Sequence, residues 1–257
     1  MEVRGFDCNT PLSLNIARKL KDLKFNFAIR YVGRNSMADY DISIEEKDAI
    51  LYAGLDLGIV QHCPLKGDLP VSKDLGKKWG INAREFSKAV EYEKGCVVYL
   101  DLEDVNIEYA NDQQSIYDYC NYWYEEVSKY YQAGIYIGFN NFMTSEQLYR
   151  YLKFQTYWKS LSWVPDVYKR GYAMFQYPYG TKFGIDLDLN ILKGDNLGGC
   201  PKFMKGRVDP VEVEREKVRD LLSNELDLTF DYWDGIKYFP NLLDKLGSLF
   251  KKWGKIK

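Results

Sequence analysis

The sequence predicts an α/β fold, a (β/α)₈ TIM-type barrel with a short C-terminal helical tail. Three observations predict it. From residue 1 to about 200, short apolar runs alternate with longer amphipathic stretches, the pattern of parallel strands joined by helices. Eight such runs are present, enough to close a barrel. Three of them, otherwise made largely of apolar residues, carry acids near their ends that are expected to face inward.

The first strand is read at Val3–Asp7, which ends on an acid. An amphipathic helix follows at Leu12–Leu23, and Phe25–Val32 is the second strand. The helix at Ser43–Tyr52 opens with Ser43-Ile-Glu-Glu, in which Ser43 and Glu46 suit a capping box. Leu55–His62 is the third strand, Lys73–Tyr92 the third helix and Cys96–Glu103 the fourth strand. Asp112–Tyr131 and Thr144–Tyr151 are helices on either side of the strand Gly134–Gly138. Thr156–Leu161 is the sixth strand. The segment Ser160–Arg170 contains Pro165 and lacks a helical period, so the crossover there is read as a loop. Tyr172–Tyr177 and Ile185–Asn190 complete the eight, and the glycine-rich Gly194–Gly199 is a turn without the Lys-Ser/Thr of a phosphate loop.

Composition changes after Gly198-Gly199-Cys200-Pro201, which divides the chain into a barrel, 1–200, and a tail, 201–257. The tail begins with a charged helix around Pro210–Leu226. Ile236–Lys257 has Phe239, Leu242, Leu243, Leu246, Leu249, Phe250, Trp253 and Ile256 at three- and four-residue spacings. Six lysines against Asp244 give this helix a charge of +5 and leave −7 on the rest. It is read as packing on the barrel, as an oligomerisation element, or as a surface for anionic wall polymer or membrane.

The 257 residues carry 35 Lys and Arg against 37 Asp and Glu, which argues against nucleic acid as the partner, since counterion displacement needs a basic surplus. Five widely spaced cysteines without a CxxC pair suit neither a disulfide scaffold nor a zinc site. The opening MEVRGFDCNT shows no secretory signal, and no apolar run approaches the ~20 residues of a membrane span, so synthesis in the cytoplasm is expected. His62 is the only histidine, and no GxSxG elbow accompanies it.

In Val97–Glu103 one face carries Val97, Tyr99, Asp101 and Glu103, so both acids end the face expected to point into the barrel. Asp186, Asp188 and Asn190 share a parity in the last strand, and Asp7 ends the first. Acids converging at a barrel mouth repel one another and raise one another's pKa, so a protonated acid can stand beside an ionised one. Glycosidic cleavage needs that division of labour. A hard metal on the same oxygens is the other chemistry they allow, although no spacing supports a transition metal.

The blocks Gly5-Phe6-Asp7-Cys8-Asn9-Thr10, Phe27–Arg34, Ile44-Glu45-Glu46, Ala53-Gly54-Leu55 to Val60-Gln61, Gly80-Ile81-Asn82-Ala83 and Val98-Tyr99-Leu100-Asp101 resemble the glycoside-hydrolase-like barrel family. Phe175-Gln176-Tyr177 and Asp188-Leu189-Asn190 are similar to the related family 25 lysozymes. The resemblance covers roughly 3–200 and implies a peptidoglycan-cleaving muramidase without cofactor, of the kind found as phage or prophage endolysins acting at the bacterial wall. Carried over, it implies Glu103 as proton donor, Asp101 and Asp7 as supporting carboxylates and Asp188 as a further acid. Arg30, Tyr31, Gln61, Tyr136, Asn140, Trp158, Gln176 and Tyr177, near the strand ends, are then the candidates for binding wall glycan. The rival expectation is a catalytically silent barrel that binds glycan or builds a wall or phage assembly.

Overall fold

The structure is a computed structural model that describes residues 2–65, 68–105 and 113–207. The expected helices of the tail, Pro210–Leu226 and Ile236–Lys257, lie outside the described residues.

Eight strands close a barrel in sequence order. They are β1 (Val3–Asp7), β2 (Phe27–Val32), β3 (Asp56–Gln61), β4 (Val97–Leu102), β5 (Gln132–Ile137), β6 (Tyr157–Lys159), β7 (Met174–Lys182) and β8 (Ile185–Leu192). Among the described residues the crossovers carry α1 (Leu14–Asp22), α2 (Ile44–Tyr52), α3 (Lys73–Ala89), α4 (Gln113–Val127) and α5 (Ser145–Arg150). Ser13, Ser43, Ser72 and Thr144 each accept a backbone N–H at a helix start. The reciprocal box forms at Thr144–Gln147 and is not completed at Ser43, because Glu46 turns inward to Arg30. The stretch after β6 has no helix, as its proline and broken period predict.

One feature departs from eight parallel strands. β8 runs antiparallel to both β7 and β1. Its connection to β7 is Phe183-Gly184, with φ +53° and +79°. Positive φ at both central residues is the geometry of a type I′ hairpin, whereas a parallel return needs a dozen residues or more. The hairpin outgrows the barrel: Thr181, Lys182 and Phe183 are exposed.

The inner face is filled by Phe27, Ile29, Val60, Val97, Tyr99, Trp158 and Met174, and the outer face of the wall packs on the helices. Residues 201–207 belong to the same compact unit as the barrel. Met204 exchanges backbone hydrogen bonds with Leu57, and Phe203, 5% exposed, stacks on Phe27 at 4.6 Å. Gly58 makes room for it, since a Cβ there would come within 2.7 Å of the Phe203 ring. Phe203 therefore plugs the floor. Phe203→Ala is expected to cost about 3–5 kcal/mol, read from urea unfolding, as for other buried phenylalanines.

Candidate active site

Strand parity builds the site. Asp7 ends the inward set of β1, Asp101 that of β4, and Glu103 follows two residues on, just beyond the strand. On β8 the register sets Asp188 opposite Asp7. Because β8 runs from mouth to floor, Asp188 reaches the mouth from mid-strand. Asp186, on the same face by sequence, is carried past the rim, where it accepts from Thr181 Oγ1.

Asp101, Glu103 and Asp188 line a mouth cleft of about 330 Å³ together with Tyr31, Tyr136, Trp158 and Gln176. Val60, Phe139, Leu161 and Ser162 complete the wall, so among the described residues no Lys or Arg faces it. Asp7, 4% exposed, accepts through Oδ2 from Asn190 Nδ2 at 2.7 Å and Gln176 Nε2 at 2.9 Å. Tyr31 donates to its Oδ1 at 3.4 Å. The same Gln176 amide donates to Asp188 Oδ2 at 3.3 Å, while its Oε1 accepts from Tyr136 Oη at 2.9 Å and Leu161 N at 3.3 Å. Gln176 thus ties two acids together, and Trp158 Nε1 holds Asn190 Oδ1 at 2.8 Å. Asp101 Oδ1 is buried and has no hydrogen-bond partner among the described residues.

Burial and mutual repulsion raise all four acids. Asp101 is held well above the usual carboxylate range by burial, then by Glu103 and Asp7. Burial and then Asp104 raise Glu103, and burial and then Asp186 raise Asp188. Burial pushes Asp7 up to about 7, with Asp188 adding to it and the amide donors of Asn190 and Gln176 opposing it. Burial and the neighbouring charges therefore favour the protonated form at all four acids.

Asp7 gives a stability prediction. Its folded pKa lies above the unfolded value, so the native state binds the extra proton and its contribution is lost as pH rises from about 4 to 7. The loss is about 1.4 kcal/mol per pH unit across that window. Asn in its place keeps an acceptor for Asn190 and Gln176 and turns its amide to Tyr31. Asp7→Asn is expected to be the more stable protein at pH 8 and to lose that advantage near pH 4, as read from urea midpoints at both.

Of the residues expected from sequence, the structure gathers Asp7, Asp101, Glu103, Asp188, Tyr31, Tyr136, Trp158 and Gln176. It does not bring the other four. Arg30 and Gln61 have outward parity: Arg30 is wholly buried against Glu46, and Gln61 bonds Gly33 O, Trp79 O and Trp123 Nε1 beneath the helices. Tyr177 also points outward from β7 and is 41% exposed. Asn140 sits on the rim at φ +50° and donates to Asp104 Oδ1 at 3.0 Å, which steadies the loops beside Glu103. Sequence reasoning gave no role to Asn190, although its parity was visible, nor to Phe139, Leu161 and Ser162, which lie in loops without a period. Among the described residues no group of His, Cys, Asp or Glu is disposed to hold a metal, and no helix is long and apolar enough to cross a membrane.

A family model described as "Rv2525c-like, glycoside hydrolase-like domain" matches residues 18–191, more than half of the chain. The chain belongs to this family. Among solved structures, this Rv2525c-like barrel is similar to the Tat-secreted protein Rv2525c of Mycobacterium tuberculosis, solved with L-tartrate. The two are 17% identical over 75% of this chain and 98% of that one, with a TM-score of 0.57. A bacterial lysozyme from Streptomyces coelicolor is 15% identical over 75% of this chain and 92% of its own, TM-score 0.52. A muramidase from Acremonium alcalophilum is 15% identical over 75% and 94%, TM-score 0.51. At such identities the likeness is one of fold. No curated protein matches the chain.

Proposed function

We propose that this Rv2525c-like protein is a glycoside hydrolase of muramidase type that cleaves peptidoglycan or a related wall glycan, with Glu103 as proton donor. The observation that carries the reading is the set of four acids of raised pKa around an aromatic cleft that, among the described residues, has no basic side chain. Such a cleft disfavours anionic substrates such as phosphate esters and favours positive charge developing at a sugar ring.

Burial raises the pKa of Glu103, which favours the protonated form that a donor to the leaving oxygen needs. Asp188, which accepts from the Gln176 amide, is the member placed to carry negative charge beneath an oxocarbenium-like centre, and Asp7 supports it through the same amide. The unpartnered Asp101 Oδ1 offers a place to a substrate hydroxyl or amide, since a buried oxygen left alone costs about 1–3 kcal/mol. Tyr31, Tyr136 and Trp158 supply rings for sugar faces. The same reading extends to an endolysin-type role at the bacterial wall, which the sequence resemblance implies.

The test is release of reducing ends from purified peptidoglycan by the wild-type protein. Activity supports the enzyme. No release from walls of several chemotypes leaves the silent glycan-binding or structural barrel.

A further inference from the structure

We propose that a second cavity on the mouth face binds the sugar units next to the one over the carboxylates, so that a neutral N-acetylated glycan lies across both. This rests on the glycan reading above and names how the polymer is held.

The cavity has a volume of about 370 Å³ and is formed by the segments that follow β1, β2 and β3. Two stacked rings join its wall to that of the acid cleft. Tyr31 lines the cleft, and its ring stacks on His62 at 4.7 Å and 21° between planes; His62 in turn lines the second cavity. The His62 ring is fixed from several sides. Its Nε2 lies 2.8 Å from Asp41 Oδ1, and the Asp41 carboxylate, 1% exposed, also accepts from Ala38 N at 2.7 Å. Tyr40 meets the His62 ring edge-on at 5.5 Å and is half exposed. A histidine locked in this way is a rigid wall between two depressions.

Charge selects the ligand class. Arg34 lies over the Trp79 ring at 5.7 Å, pairs with Asp68 at 3.3 Å and donates to Cys63 O. Asp41 is paired with His62. The Arg34 guanidinium is thus engaged by Asp68 and the Cys63 carbonyl, while Asn9, Asn35, Ser36 and the Tyr40 ring supply amides, a hydroxyl and an aromatic face. That set suits hydroxyl and acetamido groups, and among the described residues that line it the one cation, Arg34, is already paired with a carboxylate.

The experiment is calorimetric titration of the wild-type protein with N-acetylglucosamine oligomers from dimer to hexamer. Affinity is expected to rise by about tenfold once the oligomer spans both cavities, the scale of one added aromatic contact with its hydrogen bonds. In Tyr40→Ala, which keeps the backbone carbonyl that Arg30 uses, and in Asn9→Trp, which fills the cavity from an exposed position, the gain with length is expected to disappear. Equal affinity for short and long oligomers in the wild type, or an unchanged gain in both variants, overturns the second site and leaves the glycan reading standing. No binding at any length overturns both.

Discussion

Glu103→Gln is expected to lower reducing-end release by about 10²–10⁴-fold, the range for loss of a positioned general acid, while wall binding and thermal stability hold. The substitution keeps the volume of the side chain, which matters here because Glu103 lies directly on Gly138, where even a Cβ would collide with its carboxylate. An amide of the same shape fits that seat. The comparison of lysis, wall binding and unfolding temperature therefore isolates the proton. Unchanged lysis would falsify the assignment of Glu103, and lysis lost together with stability would point to a damaged seat instead.

The second large effect belongs to a residue that sequence reasoning placed in the site. Arg30 is fully buried, its Nε 2.6 Å from Glu46 Oε1, and it also donates to the carbonyls of Cys8 and Tyr40, at 2.9 Å for the latter. Leu12 N shares the same Glu46 oxygen at 2.8 Å. Arg30→Met is expected to destabilise the barrel by about 3–5 kcal/mol, because it strands a buried carboxylate. Arg30→Met with Glu46→Leu should recover much of that, since two apolar groups need no partner. Urea unfolding of the single and double variants decides it. A single variant of near wild-type stability would return Arg30 to the list of candidate glycan ligands.

What the sequence disclosed follows from periodicity. Strands end where apolar alternation meets a turn, so β1 and the acids on β1 and β4 were legible, as was the absence of a helix after β6 around Pro165. Parity also sorted Asp101 and Glu103 correctly to the inner face. Arg30 and Gln61 were placed at the mouth for their proximity to strand ends, and the same parity rule turns them outward: Tyr31 and Val60, one position away, are the inward residues. The hairpin was missed because Phe183-Gly184 lacks the usual Asn-Gly signature, although two residues cannot make a crossover. The plug formed by Phe203 was hidden for a different reason. It is a tertiary contact made by an irregular segment, and no local pattern announces it.

The closure of β8 onto β1 has a consequence for synthesis. Asp7 and the Asn190 amide that holds it are 183 positions apart, and the strands bearing them are neighbours only in the finished ring. As the chain emerges from a ribosome, β1 through β6 can appear in order, yet the acid of the first strand has no amide donor until β7 and β8 have followed it out. Contacts of such sequence separation are the last to be rewarded in folding. A nascent or shortened chain therefore owns the carboxylates without owning the cleft. For a protein whose proposed substrate is the wall of a cell, late assembly keeps unfinished copies inert.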